Sequence, residues 1–148
     1  MPELWQPIEG YEGLYEVSNL GRVRRLTARV WVQRGKGYWI TRKGRVLKGG
    51  FDHDGYVLHV LSCKGTTKTH KEHHLVLNAF VGPCPKGLQT RHLNGNPADN
   101  CVSNLVWGTA AENSKDMSRH GRRRCGPNHH FYGKTGKDHW LLSIKKAP

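Results

Sequence analysis

The stretch LQTRHLNGNPADNCVSNLVWGTAAENSKDMSRH, residues 88–120, carries the clearest structural signals in this 148-residue chain. Its first part, 88–93, predicts a short strand, and a second short strand is expected at 105–107. The segment between them, 94–103, is rich in Asn, Gly, Pro and Asp, which is typical of a loop. This order of elements indicates a β-hairpin with a long connection.

A helix completes this unit. Thr109 and Glu112 form the Ser/Thr-x-x-Glu pattern of a capping box, which predicts a helix that begins at Thr109. Gly121 is expected to end it after about three turns. A hairpin packed on this helix would bring His92, at the end of the first strand, close to Asn113 in the first turn. A neutral imidazole beside a bound divalent cation suits phosphodiester hydrolysis, because the imidazole takes a proton from water and the cation stabilises the leaving oxygen.

The rest of the chain predicts mostly short strands, so the expected fold class is α+β. Residues 1–25 are rich in turns between short extended pieces, and 26–50 have the pattern of a β-ribbon with basic, glycine-bounded turns. Residues 55–61 predict a strand, and 72–80 predict a helix. The apolar face expected for that helix comprises Leu75, Ala79 and Phe80.

The charge of the chain is strongly one-sided. There are 24 Lys and Arg residues against 11 Asp and Glu, which gives a formal net charge of +13. No acidic residue occurs between Val17 and Phe51, and a second basic run follows at 119–124. Clustered positive charge of this kind favours a nucleic acid as the partner, through release of the counterions that the phosphates condense.

Other classes of protein are not expected. No run of about 18 apolar residues exists, which argues against a membrane span, and the start MPELWQPIEG does not have the pattern of a secretory signal. The four cysteines, at 63, 84, 101 and 125, include no C-x-x-C pair. We therefore expect neither a disulfide framework nor a structural Zn²⁺ site, and we expect a reducing compartment.

The segment 88–120 resembles the core of the HNH endonucleases, which have the ββα-metal fold. The matching residues are Arg91-His92, Asn94-Gly95-Asn96, Asp99-Asn100, Asn104-Leu105, Trp107-Gly108-Thr109 and Glu112-Asn113. Upstream, 73–76 and 79–80 match the helix that precedes this core in the phage and intron-encoded branch. The resemblance implies a homing-type enzyme in the cytoplasm of a bacterial or phage-infected cell.

The N-terminal sequence WQPIEGYEGLYEVSNLGRVR, residues 5–24, resembles the short DNA-binding module that is often attached to such nucleases. Both resemblances together cover most of 5–121. They imply a basic β-rich DNA-binding module at 1–50, a ββα-metal nuclease core at 51–121 and a basic, glycine-rich tail at 122–148.

The resemblance also implies roles for individual residues. His92 would be the general base that activates water. Asn113 would be the helix-borne ligand of Mg²⁺ or Mn²⁺. Asn104 would brace the loop without touching the substrate, and Asn96 and Asn100 would likewise hold it.

One position departs from the family pattern. Many members carry Asp or another ligand immediately before the catalytic histidine, where this chain has Arg91, and a guanidinium cannot bind a cation. We favour a metal held by Asn113, phosphate oxygens and water, with Arg91 clamping the scissile phosphate. A second ligand could instead come from Asp116 or His73. In the third alternative, the site is inactive.

Some candidate residues also have simpler interpretations. We expect Asp116 to be solvated, or paired with Arg119 or His120, rather than to bind the metal. Of the neighbours His73 and His74, one is expected to be buried and the other to lie on the surface.

These observations predict a metal-dependent DNA endonuclease that binds duplex DNA through its basic N-terminal half. The residues expected to contact DNA are Arg22, Arg24, Arg25, Arg29, Arg42, Arg45, Arg119 and Arg122. As a monomer with one site, the chain would nick one strand, and a double-strand break would need a homodimer or two nicks. The alternatives are a DNA-binding protein that has lost cleavage on the same scaffold and a zinc-stabilised nucleic-acid binder.

Overall fold

The computed structural model describes residues 2–121. The strands are β1 (Trp5–Pro7), β2 (Tyr15–Ser18), β3 (Val23–Arg25), β4 (Ala28–Val32), β5 (Tyr38–Arg42), β6 (Arg45–Val46), β7 (Gly50–Phe51), β8 (Val57–Cys63), β9 (Thr66–Lys71), β10 (Gln89–His92) and β11 (Leu105–Gly108). The helices are α1 (Glu72–Phe80) and α2 (Ala110–Arg119), with a 3₁₀ turn at Val102–Asn104. The α+β class expected from the sequence is confirmed. The predicted tail lies outside the described residues.

The strands form small antiparallel sheets. Their orders are β1-β2-β3-β6, β4-β5, β7-β8-β9 and β10-β11. The β4-β5 hairpin leaves the first sheet after β3 and returns to it at β6, where Arg24 of β3 pairs with Val46. The ribbon predicted for 26–50 is therefore confirmed, and most of it projects from the sheet as a separate hairpin.

One hydrophobic core joins the N-terminal sheet to the segment around 88–120. Val17 and Val23 of the N-terminal sheet, Leu61 of β8, and Val76 and Leu77 of α1 are fully buried and belong to the same cluster. Leu105 of β11 is part of it as well. Burial of these aliphatic side chains fixes the N-terminal sheet, α1 and the hairpin to one another.

The helix expected at 72–80 is confirmed as α1. Its buried side is wider than the predicted stripe, because Val76 and Leu77 are completely buried, whereas Ala79 and Phe80 pack only partly against the core. The helix contacts β2, β8, β9 and β11, so an amphipathic stripe underestimates the face that it buries.

The second helix begins as the sequence predicts. The Thr109 side chain accepts a hydrogen bond from the Glu112 backbone N–H (3.2 Å), and the Glu112 carboxylate accepts one from the Thr109 backbone N–H (2.8 Å). This capping box satisfies two of the N–H groups that a helix start leaves unpaired. The helix ends at Arg119, and Gly121 follows with a φ of +65°. No helix among residues 2–121 is long and apolar enough to cross a membrane.

Candidate active site

His92 ends strand β10 and belongs to a buried network of hydrogen-bonded side chains. Its Nε2 atom is 3.0 Å from Oδ1 of Asn100, and the amide nitrogen of Asn100 donates to Oε1 of Glu72 at 2.9 Å. The other carboxylate oxygen of Glu72 lies 2.5 Å from Nε2 of His59. All four side chains are buried. This hydrogen-bond network links the end of β10 to the start of α1 and to strand β8.

Sequence reasoning missed two residues of this hydrogen-bond network, His59 and Glu72. No pattern points to His59, and Glu72 was considered only as part of the predicted α1 helix. The link between them spans two elements that are brought together by packing, so no local signal could have identified it. Asn100 was expected to hold the loop, and its side chain bonds to His92 and to Glu72.

Two aromatic side chains fix the plane of the His92 ring. His73 approaches it edge-on at 5.3 Å between ring centroids, and Tyr56 lies at 5.9 Å. His73 is buried and His74 is exposed, which confirms the prediction for this pair. Burial, followed by the neighbouring histidines, lowers the pKa of His73 to about 3. The imidazole of His73 is therefore neutral at physiological pH.

The loop between the two strands is braced by asparagine side chains. The Asn104 side-chain oxygen accepts the Asn94 backbone N–H at 2.9 Å, and its amide nitrogen donates to the Asp99 carbonyl at 2.8 Å. Asn96 caps a short turn by accepting the Ala98 backbone N–H at 3.1 Å. These contacts brace the loop, as the family resemblance implies for Asn104 and Asn96, and they tie it to the 3₁₀ turn before β11.

Arg91 is tied to helix α2 by two carboxylates. Its Nε donates to Asp116 at 2.7 Å, and its Nη1 lies 3.1 Å from Glu112. The Arg91 side chain is only 16% exposed. It passes over Gly108, where a Cβ atom would lie 2.3 Å from the Arg91 Cδ atom. A side chain at position 108 would therefore require Arg91 to shift from this position.

The expectation for Asp116 was wrong. Asp116 is buried, and its principal partner is Arg91 rather than solvent, Arg119 or His120. It lies one helical turn after Glu112, so both carboxylates point from α2 to the hairpin. The hydrogen bond from Arg91 lowers the pKa of Asp116 below its usual range, and this carboxylate is consequently committed to the guanidinium.

The candidate metal ligands are few. Asn113 lies on α2 between Glu112 and Asp116, so the Arg91 ion pairs hold its part of the helix against the strand that ends at His92. Within residues 2–121, no three His, Cys, Asp or Glu side chains are grouped so that they could hold a metal ion. Asn113 therefore remains the candidate ligand that the family resemblance implies, and its side-chain amide oxygen is of the donor type that hard cations take.

Two arginines predicted to contact DNA are engaged in the N-terminal sheet. Arg22 donates through Nε to Glu3 at 2.8 Å. Arg24 donates through Nε to Glu16 at 2.7 Å, and its guanidinium lies 4.1 Å from the centre of the Trp5 ring. These contacts balance their charge within the protein.

Of the other predicted arginines within residues 2–121, one is half-buried and four are exposed. Arg25 is half-buried and donates to the Lys43 carbonyl at 2.8 Å. Those that lie exposed on the described surface are Arg29, Arg42, Arg45 and Arg119. Arg122 lies outside the described residues.

The β4-β5 hairpin also exposes aromatic side chains that sequence reasoning missed. Trp31, Tyr38 and Trp39 are each about half exposed, at 47%, 47% and 55%. The two tryptophan rings meet edge-on at 5.5 Å, and the Arg29 guanidinium lies 5.7 Å from the Trp39 ring. The sequence signal that could have identified them is the presence of aromatic residues within the basic segment. This combination of exposed rings and arginines suits contact with nucleic acid.

Comparison with known proteins identifies two family models in the chain. The NUMOD4 motif matches residues 3–62, and the HNH endonuclease model matches residues 70–115. These matches confirm the resemblance found in the sequence.

Individual relatives agree with the family models. The chain is 34% identical over 116 residues to the DNA endonuclease I-HmuI of Bacillus phage SP01, covering 78% of this chain and 58% of that protein. It is 28% identical over 110 residues to an HNH endonuclease of Acanthamoeba polyphaga mimivirus, covering 74% of this chain and 28% of that protein. The chain thus spans only part of the length of both relatives.

A solved structure described as DNA binding and cleavage by the HNH homing endonuclease I-HmuI has the same fold. The TM-score is 0.65 at 29% identity, and the match covers 96% of this chain and 67% of that chain. Sequence and structure therefore point to the same group of proteins.

Proposed function

From this homology with the HNH endonucleases, we propose that the chain is a metal-dependent DNA endonuclease that hydrolyses a phosphodiester bond. The observation that carries the proposal is the tie between Arg91 and helix α2. It brings together the strand that ends at His92 and the helical turn that carries Asn113. The hairpin and helix α2 then carry three groups that the reaction needs: the general base His92, the phosphate-binding guanidinium of Arg91 and the cation-binding amide of Asn113.

His92 acts as the general base. Its neutral imidazole takes a proton from the water molecule that attacks the phosphorus atom, a step that contributes about 10²- to 10⁴-fold in enzymes of this kind. The ring is held by Asn100 on one edge and by the aromatic contacts of His73 and Tyr56 on its faces and rim. This fixed orientation supports its role.

Arg91 binds the scissile phosphate. Its Nε and Nη1 atoms are engaged by Asp116 and Glu112, and the remaining N–H groups of its planar fork can donate to phosphoryl oxygens. The two carboxylates fix the orientation of the guanidinium group and leave some of its N–H donors available. Asn104 contributes by bracing the loop and does not touch the substrate.

Asn113 holds the cation, which we propose to be Mg²⁺ or Mn²⁺. When bound, the ion supplies electrostatic stabilisation of the leaving oxygen. A single amide ligand suits Mg²⁺, which keeps several water molecules and binds substrate phosphate readily.

Double-stranded DNA is the proposed partner. The exposed arginines of the β4-β5 hairpin, Arg29 and Arg42, and the nearby Arg45 supply the sequence-independent part of the affinity through phosphate contacts. One chain contains one site, so a monomer nicks one strand, whereas a double-strand break requires a homodimer or two successive nicks.

A second candidate is a DNA-binding protein that has lost cleavage. It is favoured by Arg91, which stands where many HNH endonucleases have a metal ligand and which engages the nearby carboxylate Asp116. This candidate predicts DNA binding without metal-dependent cutting.

A supercoiled-plasmid assay distinguishes the two. We expect the wild-type chain with Mg²⁺ or Mn²⁺ to yield nicked circles, and we expect EDTA, His92→Ala and Asn113→Ala to abolish the product. His53→Ala, which changes a highly exposed histidine away from the site, is the matched control and should cut normally. Retarded DNA in a gel without cutting in either metal would replace the nuclease proposal by the binding-only candidate.

A further inference from the structure

We propose that the turn at residues 18–21, which connects β2 to β3, is a positioning element of the active site. It holds residues 100–102 of the loop between β10 and β11, and this loop segment contacts His92. The inference rests on the proposed function, because it takes His92 as the general base. It gives a role in the chemical step to a turn that lies within the part of the chain matched by the NUMOD4 motif.

Two contacts join the turn to the loop. The backbone carbonyl of Asn19 accepts a hydrogen bond from the Val102 backbone N–H at 2.9 Å. Gly21 lies against Asn100, so that a Cβ atom at position 21 would be 3.1 Å from the Asn100 Cβ atom and 3.2 Å from its carbonyl oxygen. Both Gly21 and Asn100 are buried. A methyl group at position 21 would therefore push on the backbone of the loop.

The turn is fixed by its own sheet. Ser18 and Asn19 are buried. The Asn19 side-chain oxygen accepts the Leu4 backbone N–H at 2.8 Å, and the Asn19 backbone N–H donates to the Leu4 carbonyl at 3.0 Å. The Ser18 hydroxyl accepts the Arg22 backbone N–H at 3.0 Å. Because breaking these buried hydrogen bonds would leave polar groups unpaired, the turn is a firm support for the loop.

The opposite side of the loop segment reaches the active site. Oδ1 of Asn100 lies 3.0 Å from Nε2 of His92, and the Asn100 amide nitrogen donates to Glu72 at 2.9 Å. Asn100 is 2% exposed, and a close-packed interior transmits a displacement to its neighbours. In enzymes a misplacement of about 1 Å can lower the rate about 100-fold. A smaller shift of this loop is therefore expected to lower kcat.

The buried residues of the turn are not available to bind DNA. Ser18, Asn19 and Gly21 are all buried, and Arg22, which follows them, donates to Glu3. A change at position 21 is therefore expected to act on the chemical step, whereas changes of the exposed arginines of the β4-β5 hairpin act on DNA affinity.

Gly21→Ala tests the inference, with Gly13→Ala as the matched control. Both glycines have a positive φ, +87° and +73°, so alanine meets similar backbone strain at either position. A Cβ atom at position 13 has no neighbour within 4 Å among residues 2–121. We expect Gly21→Ala to lower kcat for plasmid nicking about tenfold, with DNA affinity changed less than about twofold. Gly13→Ala should keep the wild-type kcat.

A second pair of variants tests the hydrogen bond. Val102→Pro removes the N–H group that Asn19 accepts. Val102 is the first residue of the 3₁₀ turn, and Cys101 before it has a φ of −59° and a ψ of 137°, which is compatible with a following proline. Val102→Ala keeps the donor and shortens the side chain. We expect Val102→Pro to lower kcat by a larger factor than Val102→Ala.

Amide hydrogen exchange followed by NMR of the full chain provides a readout that does not depend on cleavage. The Val102 N–H should exchange slowly in the wild type and in Gly13→Ala, and faster in Gly21→Ala. The resonances of Asn100 and His92 should shift in Gly21→Ala alone. Faster exchange spread evenly over the N-terminal sheet, without a shift at His92, would identify a general loss of stability and would contradict the inference.

The outcomes separate the inference from the proposed function. An equal kcat in Gly21→Ala and Gly13→Ala overturns the inference, and so does a loss confined to DNA affinity. If Gly21→Ala does not fold, the Val102 pair decides, and an equal kcat in its two variants overturns the inference. If the wild type cuts no DNA, the proposed function fails, whereas hydrogen exchange and the His92 resonances still test whether the turn holds the loop.

Discussion

The hairpin-and-helix unit at 89–119 and the β4-β5 hairpin at 28–42 use arginine in opposite ways. In the first, Arg91 is 16% exposed and bound to two carboxylates. In the second, Arg29 and Arg42 lie on the surface, in a segment without any acidic residue. An arginine that is held by carboxylates presents a fixed set of donors to one phosphate. Exposed arginines raise the local concentration of phosphates without choosing one.

The contrast also extends to their aromatic residues. Near His92, the rings of His73 and Tyr56 are packed together and limit the motion of the His92 imidazole. On the β4-β5 hairpin, Trp31 and Trp39 remain half exposed and contact each other. The side chains around His92 are held in place without a ligand. The exposed rings of the β4-β5 hairpin remain available for contact with one.

The largest expected effect concerns Arg91. We expect Arg91→Ala to lower kcat/KM for plasmid nicking about 100-fold, because the proposed charge-assisted contact with the phosphate is lost and Asp116 is left without its main partner. Arg91→Lys should recover only part of the loss, since an ammonium lacks the planar fork. Steady-state kinetics at fixed salt provide the measurement. Arg45→Ala removes one exposed charge as the control, and an equal loss there would remove the distinction between the two regions.

The next effect concerns salt dependence. Arg29→Gln combined with Arg42→Gln should lower the slope of log affinity against log salt by about 2, because each lost phosphate contact removes about 0.9. Cleavage at saturating DNA should be unchanged. The matched control is Lys68→Gln combined with Lys86→Gln, which lowers the net charge equally at exposed positions outside the hairpin. Equal slopes for the two double variants would show that net charge, and not the hairpin, determines affinity.

The third expected effect concerns pH and the buried His73, which packs against His92. His73 has a folded pKa of about 3 against a usual value of 6.5. Below pH 6.5 the unfolded chain binds a proton that the folded chain does not take up until about pH 3, so stability falls as the pH falls through this window. The contribution is at most about 1.4 kcal/mol per pH unit.

Urea unfolding between pH 4.5 and 6.5 measures this dependence. We expect His73→Phe to reduce the slope of the free energy of unfolding against pH, because phenylalanine cannot be protonated. His53→Phe changes a histidine whose side chain is 89% exposed, and its slope should match that of the wild type. A wild-type slope in His73→Phe would assign the pH dependence to other groups.

Local signals in the sequence were sufficient for helices α1 and α2. The capping box at Thr109 and Glu112 and the extent of α1 were predicted from neighbouring residues, because caps and short helices depend on interactions within one turn. Comparable signals located the strands around the loop.

Contacts between elements could not be predicted in the same way. The partner of Asp116 was wrong, because Arg91 reaches it from a strand 25 positions earlier in the chain, and helix periodicity contains no information about that strand. The pair of His59 and Glu72 was missed for the same reason. Which polar side chains meet in the interior depends on how sheets and helices pack, and a single sequence records that only indirectly.

The close approach of Arg91 and Gly108 couples two positions that lie on neighbouring strands. A Cβ atom at position 108 would lie 2.3 Å from Arg91 Cδ, so a side chain there requires Arg91 to shift. Such a shift disturbs the contacts of Arg91 with Asp116 and Glu112. The cost of a substitution at position 108 therefore depends on the residue at position 91, and the effects of changes at the two positions are not expected to add.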